Sequence, residues 1–447
     1  MDLNVFKDKL FAQAKAAGFE EYELYFQNSA STTVSVFNQE VSEFTNSASA
    51  GVSFRGKHGG KMGYASSERI DDQVIDFLVA AARDNAAIIE TEEHEELYPG
   101  SDAYPAVKTY NPTINDVPSE DKIKLALRVE AAAKQTDARV MAVPNCAVAN
   151  AESAVFIANS KGLSASKNAN AMYSYANCQA GDGNAVKMAM KIFFGSGFDD
   201  FDPEKLGQTA ANNAVAKLGA ASVASGKYNV IIDAEAAGSL LTVNFSGFSA
   251  ESAQKGFSLL KGKLNEQIAN PAVTIVDDPL IDWAYGSQPF DSEGVAAFKK
   301  VVVDAGVFKT FLHNTKTARQ DGVAPTGNGM KADFKSPVNI GATNFFIQPT
   351  DKTPEELMAQ LGDGILITDF AGIHAGANPT SGEFSLQAQG FVVEGGKKGR
   401  AVEQITVSGN FYQLLKSVTA VANDLNFRSN IASPSILVEG LDVAGAE

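Results

Sequence analysis

The stretch that best indicates the fold is Asn378-Pro379-Thr380-Ser381-Gly382-Glu383-Phe384-Ser385-Leu386-Gln387-Ala388-Gln389-Gly390-Phe391-Val392-Val393-Glu394. It begins with a cluster of turn residues. Apolar residues then alternate with small or polar ones, which is the period of a β-strand. Gly390 interrupts this alternation and predicts a kink between two strands. The stretch therefore predicts antiparallel sheet in the last part of the chain.

The composition limits the classes of function. The chain has 447 residues, of which 45% are hydrophobic and 20% charged, as in a globular protein with two or three domains. The formal net charge of −16 repels phosphate backbones, so we expect no binding of nucleic acid. We find no apolar run long enough for a bilayer and no signal peptide, and we expect a cytoplasmic protein without membrane contact. Cys146 and Cys178 lack metal-binding spacing and are interpreted as buried free thiols.

The order of the predicted elements indicates three units. Strands and helices come in clusters rather than in strict alternation, which favours an α+β fold over a doubly wound α/β fold. We expect an N-terminal unit of a helix plus antiparallel strands over residues 1–90. A middle α+β unit is expected over residues 115–222, and a large, mostly β domain over residues 226–447.

Several helix boundaries follow from capping signals and apolar spacing. Asp202 is predicted to cap a helix that begins at Pro203. Ser66 or Ser67 is predicted to cap an earlier helix, whose apolar face includes Phe77. In the last unit, the pattern predicts helices near residues 235–245, 354–361 and 411–422.

A set of short motifs accompanies the opening stretch in the second half of the chain. They are Asp277-Asp278-Pro279, Pro289-Phe290-Asp291-Ser292-Glu293-Gly294, Thr326-Gly327-Asn328-Gly329, Thr343-Asn344, Val407-Ser408-Gly409-Asn410 and Pro434-Ser435-Ile436-Leu437-Val438-Glu439. Together they resemble the C-terminal domain of the TldD/PmbA family, whose members were called modulators of DNA gyrase. The resemblance implies a two-subunit metallopeptidase in which TldD carries zinc, whereas TldE, also called PmbA, does not.

The zinc-binding signature of that family is degenerate in this chain. In the zinc-bearing subunit, an HExxxH signature follows a strand that resembles Tyr228-Asn229-Val230-Ile231-Ile232. Alignment through Gly256 and Lys261-Gly262-Lys263 places the signature on Leu241, Thr242 and Ser246, which offer no imidazole and no carboxylate. The loop beyond Asn423-Asp424-Leu425, where the family's third ligand is a cysteine, contains none. The resemblance therefore implies a TldE/PmbA-type subunit with no catalytic or metal-binding residue of its own, and zinc on its partner.

The remaining histidines and carboxylates are alternative candidates for a site. His58 and His94 are interpreted as surface residues. His313 and His374 could approach a carboxylate of the last domain, so an unconventional metal site at either one is left open. Asp291 and Glu293, like the pair Asp277 and Asp278, lie among turn residues and are interpreted as turn or capping groups. Trp283 and Tyr285, beside them, are interpreted as packing residues.

The implied partners are a TldD-like subunit that bears HExxxH, and unfolded peptide substrates. A free sheet edge near residues 380–394 is predicted to hold an extended peptide by strand addition. The predicted groove comprises Ser381, Gly382, Phe384, Ser385 and His374. The apolar runs Val301-Val302-Val303 and Phe345-Phe346-Ile347 predict dimerisation through the last domain, as a homodimer where the partner is absent. The alternatives are a stand-alone regulatory or peptide-binding protein and a hydrolase with an unrecognised site.

Overall fold

The computed structural model describes residues 2–90, 95–183 and 185–446. The fold is α+β, as predicted, and its two largest sheets have six strands each. The elements of the first half of the chain are α1 (Leu3–Ala16), β1 (Glu21–Phe37), β2 (Glu40–His58), β3 (Lys61–Ser67), α2 (Asp72–Ala87), α3 (Thr113–Asp116), α4 (Ser119–Thr136), β4 (Val140–Asn159), β5 (Ser164–Gly181), β6 (Val186–Gly195) and α5 (Pro203–Ala216).

The six strands of the first half form one antiparallel sheet in the order β3-β2-β1-β4-β5-β6. The two units predicted for this half of the chain therefore share a sheet. Helices α1 and α2 cover one face at β1–β3, and α4 and α5 cover the same face at β4–β6. The opposite face meets the second half of the chain through a buried cluster that includes Tyr25, Ile157, Phe290 and Phe334.

The second half of the chain is rich in strands. Its elements are β7 (Gly226–Ile232), α6 (Ala234–Asn244), α7 (Ala250–Gln254), β8 (Ile275–Asp277), β9 (Lys300–Asp304), β10 (Val307–Phe308), α8 (Thr315–Asp321), β11 (Gly329–Met330), β12 (Asn339–Ile340), β13 (Phe345–Ile347), α9 (Pro354–Leu361), β14 (Gly364–Ala371), α10 (Ile373–Gly376), β15 (Glu383–Glu394), β16 (Lys397–Asn410), α11 (Phe411–Lys416), β17 (Val418–Val421), β18 (Ile431–Ala432) and β19 (Ile436–Ala444).

Five of these strands close into a barrel in the order β16-β15-β14-β7-β19. The ring closes because β19 also pairs with β16, with Val407 opposite Val443. The opening stretch of the sequence forms one strand, β15, rather than two. The predicted kink at Gly390 corresponds to a register shift within this strand. Strand β15 pairs with β16 along its length and with β14 from Gln387 to Val393. At its start, Ala377 forms a single bridge with Phe384.

Aspartate side chains cap both α2 and α5. The Asp202 side chain accepts a hydrogen bond from the Lys205 N–H at 2.9 Å, at the start of α5, as predicted. In contrast, Asp71 caps α2, because β3 continues through Ser67. Phe77 of α2 is wrongly assigned to the apolar face: it is 56% exposed, since the buried face is formed by other residues of the helix.

The last predicted helix is shorter than expected. Helix α11 ends at Lys416, and the following residues, 418–421, form the strand β17. Valine and threonine predominate there, and their branched side chains favour a strand. The helices predicted near 235–245 and 354–361 correspond to α6 and α9.

Two cysteines and most of two apolar runs of the sequence are located in the interior of the protein. Cys146 and Cys178 are free and buried, as predicted, and burial raises the pKa of each thiol to about 12. Val302, Val303 and the run 345–347 lie inside the core of the chain, so they do not form the uncovered surface on which the predicted dimer was based. In the described part of the chain, we find no helix that is both long and apolar enough to cross a membrane.

Candidate functional site

We call the sheet β1–β6 the long sheet, and the second half of the chain, residues 226–446, the barrel domain. A cleft separates β6, the last strand of the long sheet, from the barrel domain. Three adjoining cavities of about 560, 490 and 470 Å³ follow this cleft, and we call them the aromatic, helix and barrel cavities. Ile192 and Arg428 line both the aromatic and the helix cavities, and Lys191 and Glu235 line both the helix and the barrel cavities. The three cavities therefore form one continuous groove.

The backbone of β6 supplies one side of this groove. Strand β6 pairs with β5 along its whole length, and within the described residues no other strand pairs with it. Backbone N–H and C=O groups of successive strand residues point in opposite directions, so about half of these groups on β6 lack a partner strand. Residues 189–192, 194 and 195 of β6 lie along the groove. An unpaired edge of this kind can accept another strand.

Ion pairs connect β6 to the barrel domain across the cleft. Lys191 Nζ lies 3.0 Å from a carboxylate oxygen of Glu235, which also pairs with Arg428. Lys187 pairs with Glu403 farther along the strand. Burial of Glu235 opposes its ionisation, but the two cations hold the pKa of this carboxyl below its ordinary value. The lysine pairs bridge the cleft, and the carboxyl of Glu235 is held charged at neutral pH.

The side chain of Arg428 leaves a buried donor in the cleft without an acceptor in the described part of the chain. The Nε of Arg428 is buried and has no hydrogen-bond partner among the described residues. Buried N–H groups are nearly always hydrogen-bonded, and unsatisfied ones are often explained by a ligand or water. Because Arg428 lines the aromatic and helix cavities, a backbone carbonyl of a bound chain would be a suitable acceptor.

Helix α6 begins inside the cleft. The side chain of Asp233 caps it by accepting a hydrogen bond from the Ala236 N–H at 2.9 Å. Burial raises the pKa of Asp233 to about 7. A carboxyl with this pKa can release or take up a proton near neutral pH.

The residues at the degenerate zinc signature are spread over three environments. Leu241 is buried in the core of the barrel domain. Thr242 lines the helix cavity, and its hydroxyl donates a hydrogen bond to the Gly238 carbonyl oxygen at 2.8 Å. Ser246 is exposed on the short 3₁₀ helix Phe245–Phe248. A zinc ion does not fit this set, because a leucine and two hydroxyls provide neither imidazole, thiolate nor carboxylate.

The loop that lacks the expected cysteine lies against the same helix. Asn426, Arg428 and Ser429 of this loop line the helix cavity together with Thr242 of α6. The structure therefore brings together the two parts of the chain in which zinc ligands were sought. Among the described residues, no three histidine, cysteine, aspartate or glutamate side chains are grouped so that they could hold a metal ion.

The predicted peptide groove near residues 380–394 is wrong in two respects. Phe384 is only 4% exposed and belongs to the core of the barrel, so its side chain is not available to a peptide. Strand addition over residues 387–393 is excluded because β14 and β16 pair with both edges of β15 there, and Ala377 forms a bridge with Phe384. Gly382 is also buried, whereas Ser385 is exposed.

The other predicted residues lie away from the cleft. None of Ser381, Gly382, Ser385 and His374 lines the three cavities, so a peptide contact at these residues stays a prediction. His374 is exposed on the short helix α10.

The remaining histidines do not add to the cleft. His313 is buried, and burial lowers its pKa. Neither His313 nor His374 forms a metal-binding group with two further ligands of the described residues. His94 lies outside the described residues.

A buried polar network holds the long sheet against the barrel domain. Arg55 of β2 lies 2.6 Å from Glu23 of β1 and 3.8 Å from Glu293, and all three side chains are at least 92% buried. Glu293 also accepts hydrogen bonds from the backbone N–H of Thr315 at 2.8 Å and from its hydroxyl at 2.5 Å. Asp291 accepts two N–H bonds within its own turn, from Glu293 and Val295, so its interpretation as a turn group is confirmed.

The main features of the cleft were missed by the sequence interpretation. The alternation in residues 186–195 predicts a strand, but its position at the end of a sheet depends on strand order, which the sequence pattern does not contain. Glu235 and Arg428 are far apart in the chain and meet only in the fold. Trp283 and Tyr285 were interpreted as packing residues, whereas they line the aromatic cavity, with Tyr285 52% exposed.

Most of the chain matches three domains of one metallopeptidase family. Residues 22–86 match the PmbA/TldA metallopeptidase domain 1, residues 112–218 match the central domain, and residues 225–445 match the C-terminal domain. The chain is 26% identical to the metalloprotease PmbA of Escherichia coli O157:H7 over 410 residues, which are 90% of this chain and 87% of that protein. It is 28% identical to a PmbA homologue of Haemophilus influenzae over 422 residues, covering 92% and 90% of the two chains.

Solved structures show the same fold. A Thermotoga maritima protein, described as a candidate modulator of a DNA gyrase, has 34% identity and a TM-score of 0.92, with 99% of this chain and 100% of that one covered. TldE of Thermococcus kodakarensis has 22% identity and a TM-score of 0.90, with 98% and 100% covered. At that identity, the second comparison shows a likeness of fold.

Proposed function

Because this chain belongs to the PmbA/TldD metallopeptidase family, we propose that it is the non-catalytic, TldE/PmbA-type subunit of a two-subunit cytoplasmic metallopeptidase. In this proposal it holds an unfolded peptide along the free edge of β6, while a partner that bears HExxxH supplies the zinc. The observation that carries the proposal is the composition of the cleft. An open strand edge faces the start of α6, and the positions aligned with HExxxH, on α6 and the 3₁₀ helix after it, have no zinc-binding groups.

The free edge of β6 suits a substrate that is defined by its backbone. Strand addition uses the N–H and C=O groups that every peptide has, so it gives affinity with little demand on sequence. The unsatisfied N–H at Nε of Arg428 is a further donor, and it could bind a backbone carbonyl oxygen of the peptide. A folded protein cannot offer an extended strand to a cleft of this size, which favours small or unfolded polypeptides as substrates.

The first test of the proposal is reconstitution. The purified chain is expected to bind no stoichiometric zinc and to cleave no unfolded peptide, because Leu241, Thr242 and Ser246 cannot coordinate the metal. Mixed with an HExxxH-bearing member of the same family, it should form a complex with one zinc per pair and peptidase activity. Elemental analysis, light scattering and a cleavage assay on an unstructured peptide measure these properties. One tightly held metal per chain, lost together with activity on chelation, would show instead that the chain is itself the enzyme.

The second test addresses the edge of β6. Proline removes a backbone N–H, and of two successive strand residues one points its N–H toward β5 and the other toward the cleft. We therefore expect Ala189→Pro and Met190→Pro to differ. One of them should melt well below the parent, because it breaks the pairing with β5. The other should keep its melting temperature within a few degrees but lower the rate of peptide cleavage by the mixed complex at least tenfold.

The matched control is Met190→Ala, which shortens the side chain and keeps the N–H. It should cleave at the parental rate. If the proline variant that keeps its melting temperature also cleaves at the parental rate, peptides are not held on β6 and this part of the proposal is wrong.

A further inference from the structure

The aromatic cavity is not required by strand addition and has a composition of its own. Four aromatic rings surround it, from Tyr173, Phe194, Trp283 and Tyr285. Its floor is formed by small residues of the long sheet, which are Ser29, Ala151, Ser153, Ala169, Ala171 and Gly195. Large rings around a floor of small side chains leave a space of about 560 Å³ with a mostly apolar lining.

The wall that carries Trp283 is held in a strained shape. Trp283 has a φ of 65°, a left-handed conformation that is unusual and strained for a bulky residue. Its backbone N–H donates a hydrogen bond to the Lys108 carbonyl oxygen at 2.9 Å. Such strain persists only where surrounding contacts fix it, and it is concentrated at functional sites.

The Asn344 side chain fixes the rest of this wall. Its Oδ1 accepts from the Gly286 N–H at 2.8 Å, and its Nδ2 donates to Ser287 Oγ at 2.9 Å. A Cβ on Gly286 would lie 2.1 Å from the Thr343 carbonyl oxygen, so the loop packs directly on the backbone below it. The cavity is therefore formed before any ligand arrives, which lowers the entropic cost of binding.

The position of the cavity beside β6 indicates what enters it. Ile192 and Phe194 are two residues apart on β6, so they project from the same face of the sheet, and both line the cavity. In an added strand, a side chain opposite one of them would project from the same face, with its Cβ about 4.5–5.5 Å away. A peptide on the free edge would thus direct alternate side chains toward the aromatic cavity.

We propose that the aromatic cavity is a subsite for a large apolar or aromatic side chain of the peptide held on β6. This inference rests on the proposed function and adds a selectivity that the backbone contacts do not provide. Aromatic side chains gain both from burial and from edge or offset contacts with surrounding rings. The subsite would then fix the register of the bound peptide, since only every second side chain projects toward the cavity.

The experiment uses Trp283 as its own probe, because it is the only tryptophan in the chain. Two fluorescein-labelled peptides of glycine, serine and threonine are compared, which differ only by phenylalanine or alanine at the central position. The full chain is titrated with each, and affinity is measured by anisotropy. Unlabelled versions of the same peptides report the change in Trp283 emission. We expect the phenylalanine peptide to bind at least tenfold more tightly and to shift the emission, whereas the alanine peptide should bind without a shift.

A cavity-filling variant and a matched control complete the design. Ala171→Leu places a larger side chain on the floor of the cavity and should abolish both the preference for phenylalanine and the emission shift, with unchanged affinity for the alanine peptide. Asn168→Leu makes a substitution on the opposite face of the same strand, at an exposed position, and should behave like the parent.

Each outcome bears on one of the two proposals. Equal affinity for the two peptides, unaffected by Ala171→Leu, would overturn the subsite and leave strand addition intact. Binding of neither peptide would overturn the proposed function as well. If N-acetyl-phenylalanine amide alone bound as tightly as the phenylalanine peptide, the cavity would be a site for a small molecule, and the assignment to a peptide side chain would be wrong.

Discussion

Gly390→Ala is expected to destabilise the barrel domain by more than about 4 kcal/mol, which is exceptional for the addition of one methyl group. A Cβ on Gly390 would lie 1.9 Å from the carbonyl oxygen of Leu366 and 3.0 Å from the Cα of Ile367. Both atoms belong to the backbone of β14, which pairs with β15 at this point. A backbone cannot move aside as a side chain can, so the substitution must break the pairing between the two strands.

Chemical denaturation followed by circular dichroism measures this effect, with the yield of soluble protein as a second reading. The matched control is Gly226→Ala in β7 of the same barrel. Its Cβ would lie 3.5 Å from the nearest atom, in the Tyr228 ring, which is an ordinary contact. A Gly390→Ala variant as stable as Gly226→Ala would show that β14 and β15 are not packed as described.

Arg55→Met is expected to lower the free energy of unfolding by about 3–5 kcal/mol, the usual cost of removing one partner from a buried ion pair. Glu23 and Glu293 would remain buried without their cation. Burial already raises the pKa of Glu293 to about 7, together with the nearby charge of Asp291 and despite the opposing charge of Arg55. Loss of the guanidinium raises that pKa further. A carboxyl whose pKa is raised in the folded state lowers the free energy of unfolding as pH rises through that pKa. The loss of stability in Arg55→Met, relative to the parent, should therefore be larger at pH 8 than at pH 6.

Thermal and urea unfolding at these two pH values test this prediction. Arg69→Met serves as the control because it removes an arginine from an exposed pair with Asp71, which should cost no more than about 1 kcal/mol. If both variants lost the same small amount at both pH values, the network around Arg55 would not be the contact that joins the sheet to the barrel domain.

Much of the local structure could be predicted because it depends on neighbours in sequence. The cap at Asp202 and the helix after it are determined by a few adjacent residues. The turn at Asp291 is determined by its own side chain and by the two N–H groups that follow. Such interactions have the same geometry in any fold, so the sequence pattern is sufficient to predict them.

The position of the free edge at β6 could not be predicted, because it depends on strand order. The alternation in residues 383–394 and in residues 186–195 predicts a strand in both places. Strand β15 is enclosed between two neighbours, whereas β6 ends its sheet. Strand order also explains why Phe384 is buried. Its strand belongs to a closed barrel, and local sequence patterns do not show that the barrel closes. The degenerate signature at Leu241, Thr242 and Ser246 was found through family resemblance, and only the fold shows that the loop at 426–433 lies against it.

The closure of the barrel by the final strand has a consequence for how the protein is made. Strand β7 begins at Gly226, but its antiparallel neighbour β19 begins only at Ile436. At a synthesis rate of about 5–20 residues per second, β7 waits on the order of 10–40 s for that neighbour. The long sheet of the first half, whose strands are all complete by Gly195, can fold on the ribosome during this time. The barrel can close only after β19 leaves the exit tunnel, so the order of synthesis favours folding of the long sheet before the barrel.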